Sequence, residues 1–287
     1  MTNNTLNIEK GILPVVINGL GNQMFIVAAG FVAHKHSKSP LYILQNPSEN
    51  NYHNIKKYNY NESIFKYFGI HLPYSLNDYN IHFPDYNKYY QSNPFTPWFP
   101  ESIIPGTILG GSFFQFYPPL EPFEDELREL FLKGLCQIRE KLPDYSNCAF
   151  LHIRRGDYLH NLKNNVIQPI EYYKACVSYL RESGQSGQSG QSDLTLKIIV
   201  FSDDIEWVKS QEFFTSDIFE ISNSTDELET LAIMSKCTKG AICANSTFSW
   251  WGAFLGAHAN RSPVFVPKKW TYFYILNLFP KEWIIVG

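Results

Sequence analysis

The sequence predicts an α/β protein of two domains, the second built on a parallel, doubly wound sheet. Three observations carry this reading. Between residues 148 and 266 short apolar runs alternate with helical patterns, the rhythm of parallel strands joined by crossover helices. Near the N-terminus an apolar run at 12–17 passes through Asn18-Gly19-Leu20-Gly21-Asn22-Gln23 into an almost wholly apolar stretch at 24–36, which reads as strand, tight turn and buried helix. Between the two, Pro143-Asp144-Tyr145-Ser146-Asn147 interrupts both patterns and divides the chain into domains 1–145 and 146–287. The extreme C-terminus, beyond the last strand expected, is free to pack back on the first domain.

Taken in order, the 12–17 strand and its glycine turn place backbone N–H groups at a helix start, a setting that suits anions or sugar hydroxyls. A dinucleotide fingerprint would require glycine at position 24, which is Met24, so that reading fails. Capping accounts for Asn22 and leaves Gln23 unexplained. Residues 40–45 read as a strand, 46–61 as a loop, 62–68 as a short helix, and 72–105 as an irregular region rich in Pro, Asn, Tyr and Trp. A strand at 107–113 and a helix at 124–142 complete the first domain. In the second, strand 148–153 leads to a helix at 170–182 with Pro169 at its start. The Ser/Gly/Gln repeat at 183–192 has no apolar side chain and reads as a flexible loop. Strand 194–201 is followed by a short helix around Trp207, strand 218–221, a helix at 226–237 capped by Thr225, strand 241–244, a helix at 248–258 and a last strand at 264–266.

Composition narrows the function. Apolar (44%) and charged (18%) content are those of a globular protein, and a net charge of −3 argues against nucleic acid as a partner. Any anion site must therefore be local. No stretch reads as a signal peptide or reaches the roughly 18 apolar residues of a membrane span, so the chain reads as cytoplasmic, with peripheral contact at the inner membrane face still open. The five cysteines show no metal-type pairing and read as small hydrophobes. No Walker-type loop is present, which excludes a P-loop kinase.

The polar residues just past the strands of the second half converge on one chemistry. They are Arg154 and Arg155, Ser202 and Asp203, Asn223, and Asn245 with Ser246 and Thr247. In an open parallel sheet these strand ends share the ligand-binding edge. Two arginines match a diphosphate, the helix start at Thr247 with its hydroxyls can hold a phosphate oxygen, and Asp203 can accept from a ribose hydroxyl or a base amine. A carbohydrate-binding protein would explain the many aromatic residues, but has no need of paired arginines there.

His152-Ile153-Arg154-Arg155-Gly156-Asp157-Tyr158 resembles the arginine motif of the bacterial α-1,2-fucosyltransferases of glycosyltransferase family 11. Gly19-Leu20-Gly21-Asn22-Gln23-Met24-Phe25 is similar to that family's N-terminal motif. Phe201-Ser202-Asp203-Asp204 and Asn245-Ser246-Thr247-Phe248-Ser249-Trp250-Trp251-Gly252 follow in family order. The likeness runs from about residue 15 to Trp283. Two features depart from it: Ile26-Val27-Ala28 stands where the family usually has Gln-Tyr-Ala, and the Ser/Gly/Gln insert is unusual.

The resemblance implies a GT-B fold, two Rossmann-like domains facing each other across a cleft, with 1–145 on the acceptor side and 146–287 binding the GDP-sugar. It implies GDP-fucose as donor, a galactose-terminated glycan such as a lipopolysaccharide or lactose-like unit as acceptor, and no metal or other cofactor. The absence of an Asp-x-Asp after any strand agrees, since the arginines can supply the positive charge. The implied chemistry is displacement at the anomeric carbon with inversion. Arg154 and Arg155 would meet the charge on the departing GDP, assisted by Ser246 and Thr247. Donor contacts are expected from Arg154, Arg155, Ser202, Asp203, Asn245, Ser246, Thr247, Phe248, Gly21 and Gln23. Arg154, Asp157, Asn22 and His152 are the catalytic candidates. His152 shares the face of Arg154 and either touches a substrate or is a core histidine. Asp157 is a general base or orients Arg154, and the neighbouring guanidinium favours orientation because it weakens the carboxylate as a base. The Trp250-Trp251 pair reads as core or as a stacking wall. Another GDP-sugar or linkage on the same architecture remains an open alternative.

Overall fold

The computed structural model describes residues 10–16, 18–45, 64–72, 87–90, 93–163, 165–185, 196–272 and 277–287. The expected loop at 46–61, Ile17, all of 73–86 and the repeat beyond Gln185 lie outside the described residues. The chain divides into two compact units, Met1–Leu135 with Leu276–Leu278, and Cys136–Ile275 with Phe279–Gly287.

The first unit is a five-stranded parallel sheet in the order β3-β2-β1-β5-β4. Its strands are β1 (Ile12–Val16), β2 (Tyr42–Gln45), β3 (Ile70–His71), β4 (Asn87–Tyr90) and β5 (Thr107–Gly110). Helix α1 (Leu20–Ser37) is buried almost all round as far as Ala33, so it forms from burial and not from a one-sided stripe. It starts earlier than the sequence suggests. Gly19 is the cap, in extended conformation and without a side-chain bond, and the N–H groups of Asn22 and Gln23 both donate to Gly19 O at 3.0 and 3.1 Å. Residues 20–23 are therefore the first helical turn, and Asn22 does not cap. Of the helix expected at 62–68 the described part, from Ile64, is a turn over 64–67, closed by Phe68 N–H to Phe65 O at 3.0 Å. β4 runs through the stretch read as irregular, and β5 ends at Gly110, short of residue 113.

Helix α2 (Glu124–Arg139) opens with three acidic residues, favourable at a helix N-terminus, and buries Leu127, Phe131 and Leu135 at intervals of four. It stops before residue 142.

The second unit is a six-stranded parallel sheet in the order β11-β10-β9-β6-β7-β8. Its elements are β6 (Cys148–Ile153), α3 (Ile170–Gln185), β7 (Lys197–Ser202), α4 (Ile205–Ser210), β8 (Phe219–Ile221), α5 (Glu227–Lys236), β9 (Ala241–Ile242), α6 (Thr247–Leu255), β10 (Val264–Pro267) and β11 (Ile284–Val286). Counted within the unit, the order is 3-2-1-4-5-6, that of a dinucleotide-binding Rossmann sheet. Leu151, Ile153, Ile198, Val200 and Ile242 form its core with Tyr173, Cys176 and Leu180 of α3. Four expectations change. α3 runs on into the first triplet of the repeat. Asp226, not Thr225, caps α5, its carboxylate accepting from Glu229 N–H at 2.9 Å. α6 starts at Thr247 and ends at Leu255, before Gly256, where a side chain would sit 2.6 Å from Met234 O. The 264–266 strand is not the last, because β11 pairs beside it with Phe265 opposite Ile284.

Burial pushes the thiols of Cys176, Cys237 and Cys243 up, as befits small core residues. Among the described residues no helix is long and apolar enough to cross a membrane.

α2 approaches Ile64 through Gly134, where an added Cβ would lie 2.6 Å from both Ile64 Cα and Ile64 O. Alanine normally improves a helix interior by about 1 kcal/mol over glycine, yet here it meets backbone that cannot swing aside. Gly134→Ala should therefore destabilise the protein by about 1–3 kcal/mol. Urea denaturation measures this as a lowered midpoint at unchanged slope.

Candidate functional site

In the second unit the strand order reverses between β6 and β9, which pair in parallel with Phe150 opposite Ala241 and Leu151 opposite Ile242. The crevice beyond their carboxyl ends is where an open α/β sheet takes its ligand. The segments leaving these two strands begin with Arg154-Arg155 and with Asn245-Ser246-Thr247.

Asp203 organises the first of them. Its Oδ1 accepts the Arg155 backbone N–H at 2.8 Å and its Oδ2 pairs with Arg154 Nη1 at 2.9 Å. Arg154 Nη2 holds Asp157 Oδ1, also at 2.9 Å, and its guanidinium lies 5.6 Å from the Tyr158 ring centroid. Arg155 is held differently. Its Nε donates to Asp204 Oδ2 at 3.1 Å, and its guanidinium stacks over the Trp207 ring at 4.1 Å. Asp204 also caps α4 by accepting from Trp207 N–H, and its own N–H is held by Ser202 Oγ at 2.9 Å. The two arginines thus have separate settings: Arg154 bridges two carboxylates, while Arg155 is clamped by Asp204 and Trp207. Asp203 is engaged with both, so the expected ribose or base contact is not what holds it. Two guanidinium groups face the carboxyl groups of three aspartates.

The β9 segment is tied to this cluster. Tyr158 Oη donates to Asn245 O at 2.9 Å, and burial pushes the phenol up to about 12, so it remains a donor at neutral pH. Asn245 is buried, and its Nδ2 donates to Val166 O at 2.9 Å and Trp270 O at 3.0 Å. Its Oδ1 has no partner among the described residues. Ser246 caps α6 without a side-chain bond, and Thr247 is the first helical residue. Phe248 lies against His152, ring centroids 5.9 Å apart. Trp250 and Trp251 are fully buried with Phe254, which settles them as core. Asn223 is exposed beyond β8.

The structure therefore brings Arg154, Arg155, Asp157, Ser202 and Asp203 into one network, joins it to Asn245 through Tyr158, and places His152 on Phe248. Gly21, Asn22 and Gln23 lie in the first unit, on the opening turn of α1. Trp207, Asp204 and Tyr158 were not expected as site residues. The first two could have been found from Ser202-Asp203-Asp204, since an acid three residues before a tryptophan at a helix start is a capping pattern.

A parallel 3-2-1-4-5-6 sheet with arginines and a helix start at its reversal defines a Rossmann-like unit of the GT-B glycosyltransferase class. The fold agrees with that of the fucosyltransferase NodZ from Bradyrhizobium, at 12% identity and a TM-score of 0.50, covering 87% of this chain and 94% of that one. It agrees also with a NodZ α-1,6-fucosyltransferase co-crystallised with GDP, at 11% identity, a TM-score of 0.51 and coverage of 87% and 93%. The description of glycosyl transferase family 11 matches residues 109–284. The chain belongs to this family. Two relatives from Escherichia coli are similar in sequence: the O-antigen biosynthesis glycosyltransferase WbnK, 32% identical over 174 residues (55% of this chain, 54% of that one), and an α-1,2-colitosyltransferase, 34% identical over 175 residues (56% of each). The match spans about half the length of each.

His152 is buried on β6, and its Nδ1 has no partner among the described residues. Desolvation first, then the Arg154 charge, push its pKa down from 6.5 to about 4, against a smaller opposing effect of Asp203. Between those values the unfolded chain holds a proton that the folded one excludes. Stability from the neutral ring is thus present in full above about pH 6.5 and declines as pH falls toward 4, by roughly 3 kcal/mol. His152→Gln should flatten the fall in melting temperature over this window. An unaltered slope would show that the ring protonates freely in the fold.

Proposed function

We propose that this protein transfers L-fucose from GDP-fucose to the 2-hydroxyl of a terminal galactose on a glycan, with inversion at the anomeric carbon and without a metal ion. The observation that carries the proposal is Arg154, a partly exposed guanidinium at the sheet reversal, held by two carboxylates that an anion can replace. The 1,2 linkage has support from the α-1,2-colitosyltransferase relative, and a glycan acceptor from the O-antigen glycosyltransferase relative.

In this reaction the acceptor oxygen attacks the anomeric carbon opposite the departing GDP. The proton of the acceptor hydroxyl passes to water, the bond from that carbon to the phosphate oxygen breaks, and its electron pair passes to the diphosphate. Arg154 neutralises the charge that develops there, where a positioned donor acts most strongly. Asp157 is the carboxylate that yields to the diphosphate. Its side chain is 49% exposed, against 24% for Asp203, which also holds the Arg155 N–H. Arg155, clamped by Asp204 and Trp207, adds positive field and shapes the loop. Ser246, Thr247 and the opening N–H groups of α6 assist at the phosphates. His152, neutral at physiological pH, lines the donor side without adding charge. The colitosyltransferase relative favours one second reading, in which the same site takes a different GDP-sugar.

Arg154→Ala should lower transfer from GDP-fucose by about 10²–10³-fold, and because Asp157 and Asp203 lose their shared partner the variant should melt lower while staying folded at the assay temperature. GDP should raise the melting temperature of the wild type more than UDP or ADP. Normal turnover by the variant would exclude Arg154 from the chemistry, and a donor panel with product linkage determined by NMR separates fucose from other sugars.

A further inference from the structure

The first unit has a reversal of its own. β1 and β5 are adjacent and parallel, with Leu13 opposite Ile108 and Pro14 opposite Leu109, and the strand order turns back between them. The segments leaving these strands meet through side-chain amides. Gln115, five residues past β5 and only 5% exposed, donates from Nε2 to Asn22 Oδ1 at 2.9 Å. Its backbone N–H is fixed on Pro94 O at 2.7 Å.

Phe114 directs the chain there. It adopts the left-handed region at φ 54°, which costs a phenylalanine of the order of 1–2 kcal/mol. Its buried ring, edge-on to Trp98 at 6.0 Å and stacked with Tyr89 at 6.3 Å, offsets that cost. Gln23, the next residue on α1, is 4% exposed. Its Nε2 donates to Asn18 O, while its Oε1 is buried with no partner among the described residues. The Asn22–Gln115 pair is a part-buried couple of carboxamides, a polar arrangement that ligand hydroxyls can join. The groups that meet here are carboxamides and backbone carbonyls and none is ionised, which suits a neutral polyhydroxylated ligand and not a diphosphate.

We infer that Gln115 is a positioning residue, fixing the Asn22 carboxamide so that this cluster binds the hydroxyls of a neutral sugar. The inference rests on the proposed function for one point, that this sugar is the glycosyl acceptor. The bond joins positions 93 residues apart, so Gln115 sets the amide orientation of a residue on another element.

The test uses Gln115→Ala and Gln115→Glu in the full chain, with lactose as acceptor and GDP-fucose as donor. Both variants should show KM for lactose raised, and kcat/KM lowered, by about 10-fold or more, since glutamate cannot donate to Asn22 Oδ1 when ionised. The GDP-induced rise in melting temperature should stay that of the wild type, which a general loss of structure would not allow. Acceptor kinetics unchanged within about twofold overturn the inference. Should the wild type transfer nothing from GDP-fucose, the proposed function fails by itself, and saturation-transfer NMR of lactose binding then decides. A lactose signal in the wild type that is lost in both variants upholds Gln115, whereas equal signals, or none in the wild type, overturn it.

Discussion

The ligand edge of the second unit depends on one carboxylate. Asp203 spans the ends of two neighbouring strands, β6 and β7, by accepting a backbone N–H from one loop and a guanidinium from the same loop. Two arginines adjacent in sequence repel each other, and in water they would point apart. Asp203 and Asp204 hold them at the sheet edge, and Gly156 makes room, since a Cβ there would approach Asp203 Oδ2 to 3.0 Å. The Arg-Arg-Gly-Asp-Tyr and Ser-Asp-Asp segments are thus two halves of one device. A site with three carboxylates for two guanidinium groups does not draw anions by net charge. A phosphate has to exchange for a carboxylate, so recognition turns on geometry and on the bidentate fit of arginine.

The two units apply the same topological rule with different chemistry. Each carries its polar side chains where the strand order reverses. In the second unit those groups are arginines and aspartates held by ion pairs, and in the first they are carboxamides held by hydrogen bonds. Both use an aromatic ring to fix a polar neighbour: Trp207 lies under Arg155, and Trp98 and Tyr89 brace Phe114 beside Gln115. Polar groups with several possible rotamers need such support if they are to meet a ligand without a large entropic cost.

The second unit was far more legible in the sequence than the first. Its central strands are continuous apolar runs, because a parallel sheet covered on both faces buries them, and β6 is legible to the residue. Errors there were local. Thr225 and Asp226 are both capping residues, and only the direction of a side chain decides between them; β11 is three residues long and half exposed. In the first unit β3 has two residues and β4 is Asn-Lys-Tyr-Tyr, too short and too polar to stand out. Asn18 and Gly19 form the turn that was expected, yet Gly21, Asn22 and Gln23 are helical despite their turn-like composition, because burial of α1 overrides propensity. Of the site, the arginines and Asp203 could be read from strand ends. Gln115 could not, because Phe114 in the left-handed region turns the chain and no sequence signal marks it.

The segment Leu276–Leu278 belongs with the first unit although the chain on either side of it belongs with the second, and Asn277 O accepts the Tyr117 N–H at 2.8 Å. Neither unit is therefore an uninterrupted piece of chain. A fragment cut after Leu135 would lack the Asn277 carbonyl that receives the Tyr117 N–H, so a contact internal to the first unit depends on chain well over a hundred residues downstream.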